Sequence, residues 1–212
     1  MSWLAKITID YQLAYKRRFS DNYAWHWAAW QAFPGQDRGK RNYLTRFDYR
    51  DGEFTLLLLS HVKPMRPDWC PEDAWAIAEI SPEFLKKKYY RFDLRANPTR
   101  KVTKLDDEGN KTKNGKRVAL LKPEELRGWL ERKAGDSGIR LLNTPALVID
   151  PAVSNPFFIN KRNEKGLHFS VRFTGAIEII DQCKFENAFY NGIGSAKGFG
   201  FGMLMLKPIN IN

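Results

Sequence analysis

The chain has 212 residues, of which 43% are hydrophobic and 14% aromatic, a composition that supports a packed core and excludes a disordered segment. Its formal net charge of +11 favours a polyanionic partner, above all nucleic acid, over acidic small molecules. Two isolated cysteines without CxxC spacing, an N-terminus that alternates like a strand, and no apolar run approaching about 20 residues favour a cytoplasmic protein without a signal sequence or transmembrane helix.

The N-terminal elements, in chain order, predict a βαββαβ unit. A strand is expected from Ala5 to Tyr11, and Asp21 or Asn22 can cap a helix that runs from Tyr23 to Phe33. The remaining expected elements are strands Asn42–Tyr49 and Glu53–Ser60 around an Asp51-Gly52 turn, a helix from about Pro71 to Ile80, and a strand Tyr89–Ala96. This order is that of ferredoxin-like and RNA-recognition folds.

The second half predicts a variation on the same order. The expected elements are a helix Pro123–Ala134, strand-rich segments Ile139–Ile149 and Leu167–Ile180, a helix Gln182–Asn191 and a strand Met203–Leu206. Asn155 to Gly166 is expected to be a long, mobile connection. We therefore predict an α+β protein with two tandem ferredoxin-like domains, residues 1–88 and 89–212.

Much of the positive charge lies in one segment. Between Lys86 and Arg117 there are twelve Lys or Arg residues and four acidic residues. Glycine, proline and asparagine within this segment oppose an amphipathic membrane-surface helix and favour strands joined by a loop. We expect Arg95 to Arg117 to form a hairpin-like basic arm.

A glycine-rich segment precedes the C-terminal strand. Five glycines fall within residues 192–202, and such a segment lets backbone amides approach an anion closely. A dinucleotide fold needs a strand before the glycines and a helix after them, which is the reverse of the order predicted here, and no Gly-Lys-Ser/Thr is present for a P-loop. The glycines either hold a phosphate or only permit a tight turn; Lys197 favours contact with an RNA backbone.

The first predicted helix carries residues able to move protons. Tyr23 and His26 are three positions apart and so lie side by side on its surface. A histidine with a pKa near 6.5 can exchange a proton with a ribose hydroxyl or a leaving oxygen at neutral pH, and no metal is required. A packed structural histidine among tryptophans is the alternative. His61 and His168 are isolated, no zinc spacing or nucleophile elbow is present, and we expect no cofactor.

Several segments together carry a resemblance to a known family. They are Arg91–Lys101, Gly115–Leu120, Trp129–Lys133, and the glycine segment that ends in Gly202-Met-Leu-Met-Leu. In this order they resemble the CasE branch of CRISPR repeat-processing endoribonucleases, over nearly the whole chain. The resemblance implies two tandem ferredoxin-like domains, with the Tyr-x-x-His motif at Tyr23 and His26 near the scissile phosphate.

The resemblance also implies a reaction and partners. A 2′-OH would attack the adjacent phosphate at the base of the repeat hairpin, leaving a 2′,3′-cyclic phosphate and a 5′-OH, and the product would be kept for a Cascade-type surveillance complex. Tyr23 and His26 would be catalytic. The RNA-binding candidates are Lys16, Arg17, Arg18, Arg95, Arg100, Lys101, Lys104, Lys116, Arg117, Arg162, Lys165, Arg172, Gly194, Lys197 and Gly198.

Two points stay open from the sequence. No Lys or Arg occurs from Asn22 to Gln36, so charge on the phosphate must be met from elsewhere, with Lys16, Arg17, Arg18 and Lys197 as candidates. A non-catalytic RNA-binding subunit of the same fold is the main alternative, and a nucleotide-dependent enzyme is disfavoured by the position of the glycines.

Overall fold

The computed structural model describes residues 1–36, 41–103, 115–159 and 164–210, without the side chains of 116, 157–159, 164 and 165. The described chain contains two large antiparallel sheets with helices packed on them, and a small two-stranded sheet. This is the α+β class predicted from the sequence, with two tandem ferredoxin-like folds.

The first sheet and its helices come from the N-terminal part of the chain. In order they are β1 (Trp3–Asp10), α1 (Tyr11–Lys16), α2 (Asn22–Trp30), β2 (Tyr43–Arg50), β3 (Glu53–Ser60) and β4 (Trp75–Glu79). The spatial order β2-β3-β1-β4, antiparallel throughout, is that of a ferredoxin-like sheet. Positive φ angles at Asp51 and Gly52 make the predicted tight turn between β2 and β3.

The second sheet repeats this topology. Its elements are α3 (Pro82–Leu85), β5 (Tyr89–Ala96), β6 (Thr99–Val102), β7 (Lys116–Ala119), α4 (Pro123–Asp136), β8 (Ile139–Leu141), β9 (Val148–Ile149), β10 (Val153–Ile159), β11 (Glu164–Ile179), α5 (Gln182–Asn191) and β12 (Leu204–Pro208). The main path β10-β11-β5-β12 matches the first sheet strand for strand. β6 and β7 form a separate two-stranded sheet inserted before α4.

Alternating side chains build the two cores. On β1, Ala5, Ile7 and Ile9 are at most 4% exposed and pack with the buried face of α2. Leu44 and Leu59 of the same sheet instead join the second core, beside Tyr90 and Trp129. The first sheet therefore buries one face under its own helices and part of the other against the second domain, which fixes the two halves together.

Two sequence predictions in the connecting regions are wrong. The segment expected to be a helix from Pro71 to Ile80 instead contains β4, which pairs with β1 in the register Ala5↔Ile77. As a consequence Tyr89–Ala96 does not complete the first unit but pairs with β11 and β12 in the second sheet. Sheet pairing with β1 outweighed the helix preference of the Ala- and Glu-rich segment.

The expected mobile connection from Asn155 to Gly166 is also wrong over its described residues. They belong to β10 and β11, which pair antiparallel from Val153↔Ser170 to Ile159↔Glu164. Pro156 suggested a loop, but β10 is an edge strand, where a residue without an N–H is tolerated.

A buried ion network joins the two sheets. Arg46 of β2, whose side chain is 5% exposed, donates to Asp48 at 2.6 Å and to both carboxylate oxygens of Asp93 on β5 at 2.9 and 3.0 Å. Burial would raise the pKa of Asp93, but hydrogen bonds from Arg172 and Arg46 outweigh it and hold the pKa below its ordinary value. The network ties the orientation of the first domain to that of the second.

Candidate active site

The catalytic candidates lie on a well-defined helix. Asp21 caps α2 by accepting a hydrogen bond from the Ala24 N–H at 2.8 Å, as the sequence predicted. Trp25 of this helix is buried in the core, whereas Tyr23 and His26 are half-buried. Their ring centroids are 6.4 Å apart with an interplanar angle of 30°. The predicted side-by-side placement is confirmed.

His26 lies between its own helix and the glycine-rich segment. The Trp30 indole donates to His26 Nε2 at 3.1 Å, and because an indole N–H can only donate, the neutral imidazole carries its proton on Nδ1. Phe199 lies against the ring with centroids 6.2 Å apart. Burial, followed by the charge of Arg41, lowers the pKa of His26 below its ordinary value, while a backbone interaction with Gly198 partly offsets this.

Arg41 supplies the positive charge that α2 lacks. Measured from the point where a Cβ on Gly198 would stand, Arg41 Nη1 is 2.9 Å away and His26 Cε1 is 3.8 Å away. The guanidinium and the imidazole are therefore separated by at most the sum of these distances, about 6.7 Å. Arg41 enters no ion pair with a described acidic residue. Arg41 is not among the residues predicted from the sequence, because an arginine just before a strand carries no signal of its own.

Lys197 joins the same cluster. It lies at the start of a short 3-10 helix, Lys197–Phe199, and is half-buried. Burial, followed by the charges of Arg41 and Lys133, lowers the pKa of its ammonium group. Cations held close together despite their mutual repulsion form a site that an anion would stabilise.

The glycines of the segment have two different roles. Gly202 has φ +87° and lies so close to Ile193 that a Cβ would meet its carbonyl oxygen at 2.6 Å, which makes this end a structural turn. Gly194, with φ +93°, lies on the ring of Trp129. Gly198 has no such φ restriction but faces Arg41 and His26. The glycines near the ends of the segment therefore serve its turns, as one prediction held, and Gly198 in its middle faces the candidate site, as the other held.

The basic arm is a hairpin at its base. β6 and β7 pair with Arg100 opposite Val118 and Lys101 opposite Arg117, and all three basic side chains are exposed. A groove of about 890 Å³ runs from Arg117 past His168 to the segment Gly194–Lys197. The arm and the glycine-rich segment thus border one basic groove. Lys104 and Arg162 lie outside the described residues, as do the side chains of Lys116 and Lys165.

Asn97 anchors the arm to the glycine-rich segment. The Ser195 hydroxyl donates to the Asn97 carbonyl oxygen at 2.9 Å, and the Asn97 side-chain oxygen accepts from the Phe169 N–H at 3.1 Å. His168, which appeared isolated in the sequence, lies beside Phe199, with ring centroids 4.7 Å apart. The fold thus brings residues 97, 168 and 195 to one side of the site although the sequence separates them widely.

Other predicted RNA-binding residues have contacts elsewhere in the fold. Arg95 donates to the Phe47 carbonyl oxygen and to Ser170 Oγ, and Arg172 donates to Asp93 at 2.7 Å, so both side chains take part in the junction between the domains. Lys16 and Arg18 line a different groove, beside α1. Arg41 and Lys197, rather than the triplet 16–18, are the cations whose charges act on the cluster around His26 and Gly198.

Among the described residues, no group of three or more His, Cys, Asp or Glu side chains is arranged to hold a metal ion. No helix in this part of the chain is both long enough and apolar enough to cross a membrane.

Comparison with known proteins gives consistent matches. The model of a family described as "CRISPR associated protein" matches residues 2–208. The CRISPR-associated endoribonuclease Cse3 of Thermus thermophilus is 26% identical, covering 97% of this chain and 100% of that protein. The CRISPR system Cascade subunit CasE of Escherichia coli is 28% identical, covering 89% of this chain and 93% of that subunit. A structure of endoribonuclease Cse3 bound to a 19-nucleotide RNA superposes with a TM-score of 0.77 at 24% identity, over 97% of this chain and 100% of that one, and supports the fold.

Proposed function

The chain belongs to the family of CRISPR-associated proteins, and from this membership we propose that it is an endoribonuclease that cuts CRISPR repeat RNA at the base of its hairpin. The observation that carries the proposal is that His26, which lies beside Tyr23, meets Arg41 and Lys197 at Gly198. Relatives named as an endoribonuclease and as a Cascade subunit support both the cleavage and the partner complex. We also propose that the protein is cytoplasmic and that its two domains are residues 1–88 and 89–212.

The proposed reaction is a transesterification. The ribose 2′-OH gives up its proton and its oxygen forms a bond to phosphorus; the bond from phosphorus to the 5′-oxygen breaks, and that oxygen takes a proton. The products are a 2′,3′-cyclic phosphate and a 5′-OH. This sequence of steps needs a proton acceptor, a proton donor and stabilisation of the phosphate charge, and it needs no metal ion.

His26 is the group proposed to move one of these protons. Its lowered pKa keeps most of the rings neutral at pH 7. In the structure Nε2 accepts from Trp30, so a base role for Nε2 requires RNA to displace the indole, whereas an acid role for Nε2 requires that this nitrogen also be displaced from the indole and protonated first. Tyr23 is close enough to share a hydrogen-bonding role on the same phosphate.

Arg41 and Lys197 are proposed to stabilise the charge that grows on the phosphate. Both lie beside Gly198, the one glycine of the segment that faces the site without a positive φ angle. The absence of a side chain at Gly198 lets the Arg41 guanidinium and the His26 ring approach this point of the backbone closely. The RNA stem would then lie against the arm, beside the groove that Arg117 lines, because the narrow arm suits the deep major groove of A-form RNA better than a helix does.

Cleavage assays with RNAs that contain or lack the attacking 2′-OH test this function. The purified protein is expected to cut its repeat RNA in EDTA, and to leave uncut an RNA with 2′-deoxyribose at the nucleotide before the cut. Binding of both RNAs with cleavage of neither would indicate the alternative, a non-catalytic RNA-binding subunit. Cleavage of the deoxy RNA would refute the mechanism.

A further inference from the structure

A second groove, of about 1280 Å³, runs between the two domains beside α2. It is bounded by α1 and the start of α2 on one side and by the edge strand β10 on the other. Asn22 and Trp25, which line it, belong to the same helix as Tyr23 and His26 but to the adjoining face. Nothing in the proposed cleavage mechanism uses this groove.

A ladder of aromatic rings lies along the groove. Trp25 stacks on Phe47 (4.5 Å between centroids, 26° between planes) and Phe47 on Phe54 (5.6 Å, 16°). Phe54 continues to Tyr11 (6.4 Å, 26°), and Tyr11 to Tyr15 (6.2 Å, 19°). The ladder starts in the core and ends in solvent, because Trp25 is 3% exposed, Tyr11 58% and Tyr15 75%. Its outer end therefore presents flat ring faces to which another ring can add.

Positive charge accompanies the exposed end of the ladder. Lys16, Arg17 and Arg18 follow Tyr15 directly, and among the described residues none of the three forms an ion pair. The nearby carboxylates are already occupied, since Asp10 caps α1 and Asp21 caps α2 by accepting backbone N–H groups. The groove thus combines exposed rings with cations that form no ion pair with a described residue.

We infer that this groove binds single-stranded RNA continuing from the base of the hairpin, with a base stacked on Tyr15 and phosphates held by Lys16 and Arg18. The inference rests on the proposed function. Stacking needs an unpaired base, so a duplex, whose bases are already stacked on one another, could use the cations but not the ring. Asn22, at the start of α2, lines this groove and directly precedes Tyr23, so a strand leaving the cleavage site would pass the start of this helix to enter the groove.

Tyr15→Ala tests the inference by comparing RNAs that differ only in their flanks. The RNAs are the repeat hairpin alone, the hairpin with a 5′ single-stranded flank, and the hairpin with a 3′ flank, each with 2′-deoxyribose at the cut so that cleavage does not interfere. The measured quantity is the ratio of flanked to unflanked affinity. We expect Tyr15→Ala to reduce this ratio by about 5- to 100-fold for one flank, as is typical for loss of one base–aromatic stack.

The controls separate the possible failures. Tyr15→Phe keeps the ring and should keep the ratio, and because Tyr15 is 75% exposed, neither substitution should change the melting temperature. If the wild-type hairpin binds but neither flank improves its affinity, or if Tyr15→Ala leaves the ratio unchanged, the groove is not an RNA site and a protein partner becomes the occupant to test. If the hairpin itself does not bind, the proposed function fails instead.

Discussion

Replacing Arg41 by Gln should slow RNA cleavage by roughly 10- to 100-fold. Two unit charges about 4 Å apart interact by about 4 kcal/mol at an effective dielectric constant of about 20 and by about 1 kcal/mol in water. Arg41 is half-buried, so a phosphate beside it would experience an intermediate value. A loss of about 1.4 to 2.7 kcal/mol of transition-state stabilisation corresponds to the stated range.

The same substitution should also change the pH dependence. In the wild type, burial and then the charge of Arg41 lower the pKa of His26, because both disfavour the imidazolium. If neutral His26 acts as the base, the rate falls as the pH drops through that pKa, at a pH below 6.5. Arg41→Gln removes one of the two causes, so this acidic limb should move to higher pH.

Single-turnover cleavage at saturating RNA, measured from pH 5 to pH 8, gives both the cleavage rate and the position of the acidic limb. Arg41→Lys keeps the charge and should retain most of the rate and the position of the limb. A reduced rate with an unshifted limb would mean that Arg41 acts only on the structure of the site. A rate within twofold of the wild type would refute its proposed role.

Three further predictions concern the catalytic helix, the arm and the domain junction. His26→Ala should lower single-turnover cleavage by about 10²-fold or more with affinity changed only a few-fold; a collapse of affinity at an unchanged rate would make the residue structural. Replacing Arg100 and Lys101 by Ala should reduce the slope of log K against log[salt] by roughly one to two units, and an unchanged slope would place them away from phosphates. Asp93→Asn should lower the free energy of unfolding by about 2 to 3 kcal/mol, because Arg46, 5% exposed, loses a partner. The control substitution Asp51→Asn, at an exposed ion pair, should change the free energy of unfolding by no more than about 0.5 kcal/mol in the same denaturant titration. Equal effects of the two substitutions would contradict the larger contribution expected of Asp93.

Local patterns were sufficient for the catalytic helix. Asp21 predicted where α2 begins, and the three-residue spacing predicted that Tyr23 and His26 share its surface. Helix capping and helical spacing depend on residues a few positions apart, so the sequence contains all the information they need. The strand Glu53–Ser60 and the helix Gln182–Asn191 were predicted with the same bounds for the same reason.

Local patterns failed where a distant strand decides the outcome. The segment around Ile77 forms β4 because β1 offers it an open edge, and β10 forms in spite of Pro156 because β11 pairs with it. A ladder of backbone hydrogen bonds to a strand distant in the sequence outweighs local secondary-structure preferences of a few tenths of a kcal/mol per residue.

By itself the sequence determined the α+β class, the Tyr23 and His26 pair, the basic arm and the preference for a polyanion, because composition, spacing and charge are properties of the chain. Only the tertiary structure decided which cation meets His26. Arg41 and Lys197 are 156 residues apart, and the packing of the glycine-rich segment against α2 and β2 brings them together at Gly198. The electrostatic interaction falls with distance in space, and distance in space is set by the packing of the two domains.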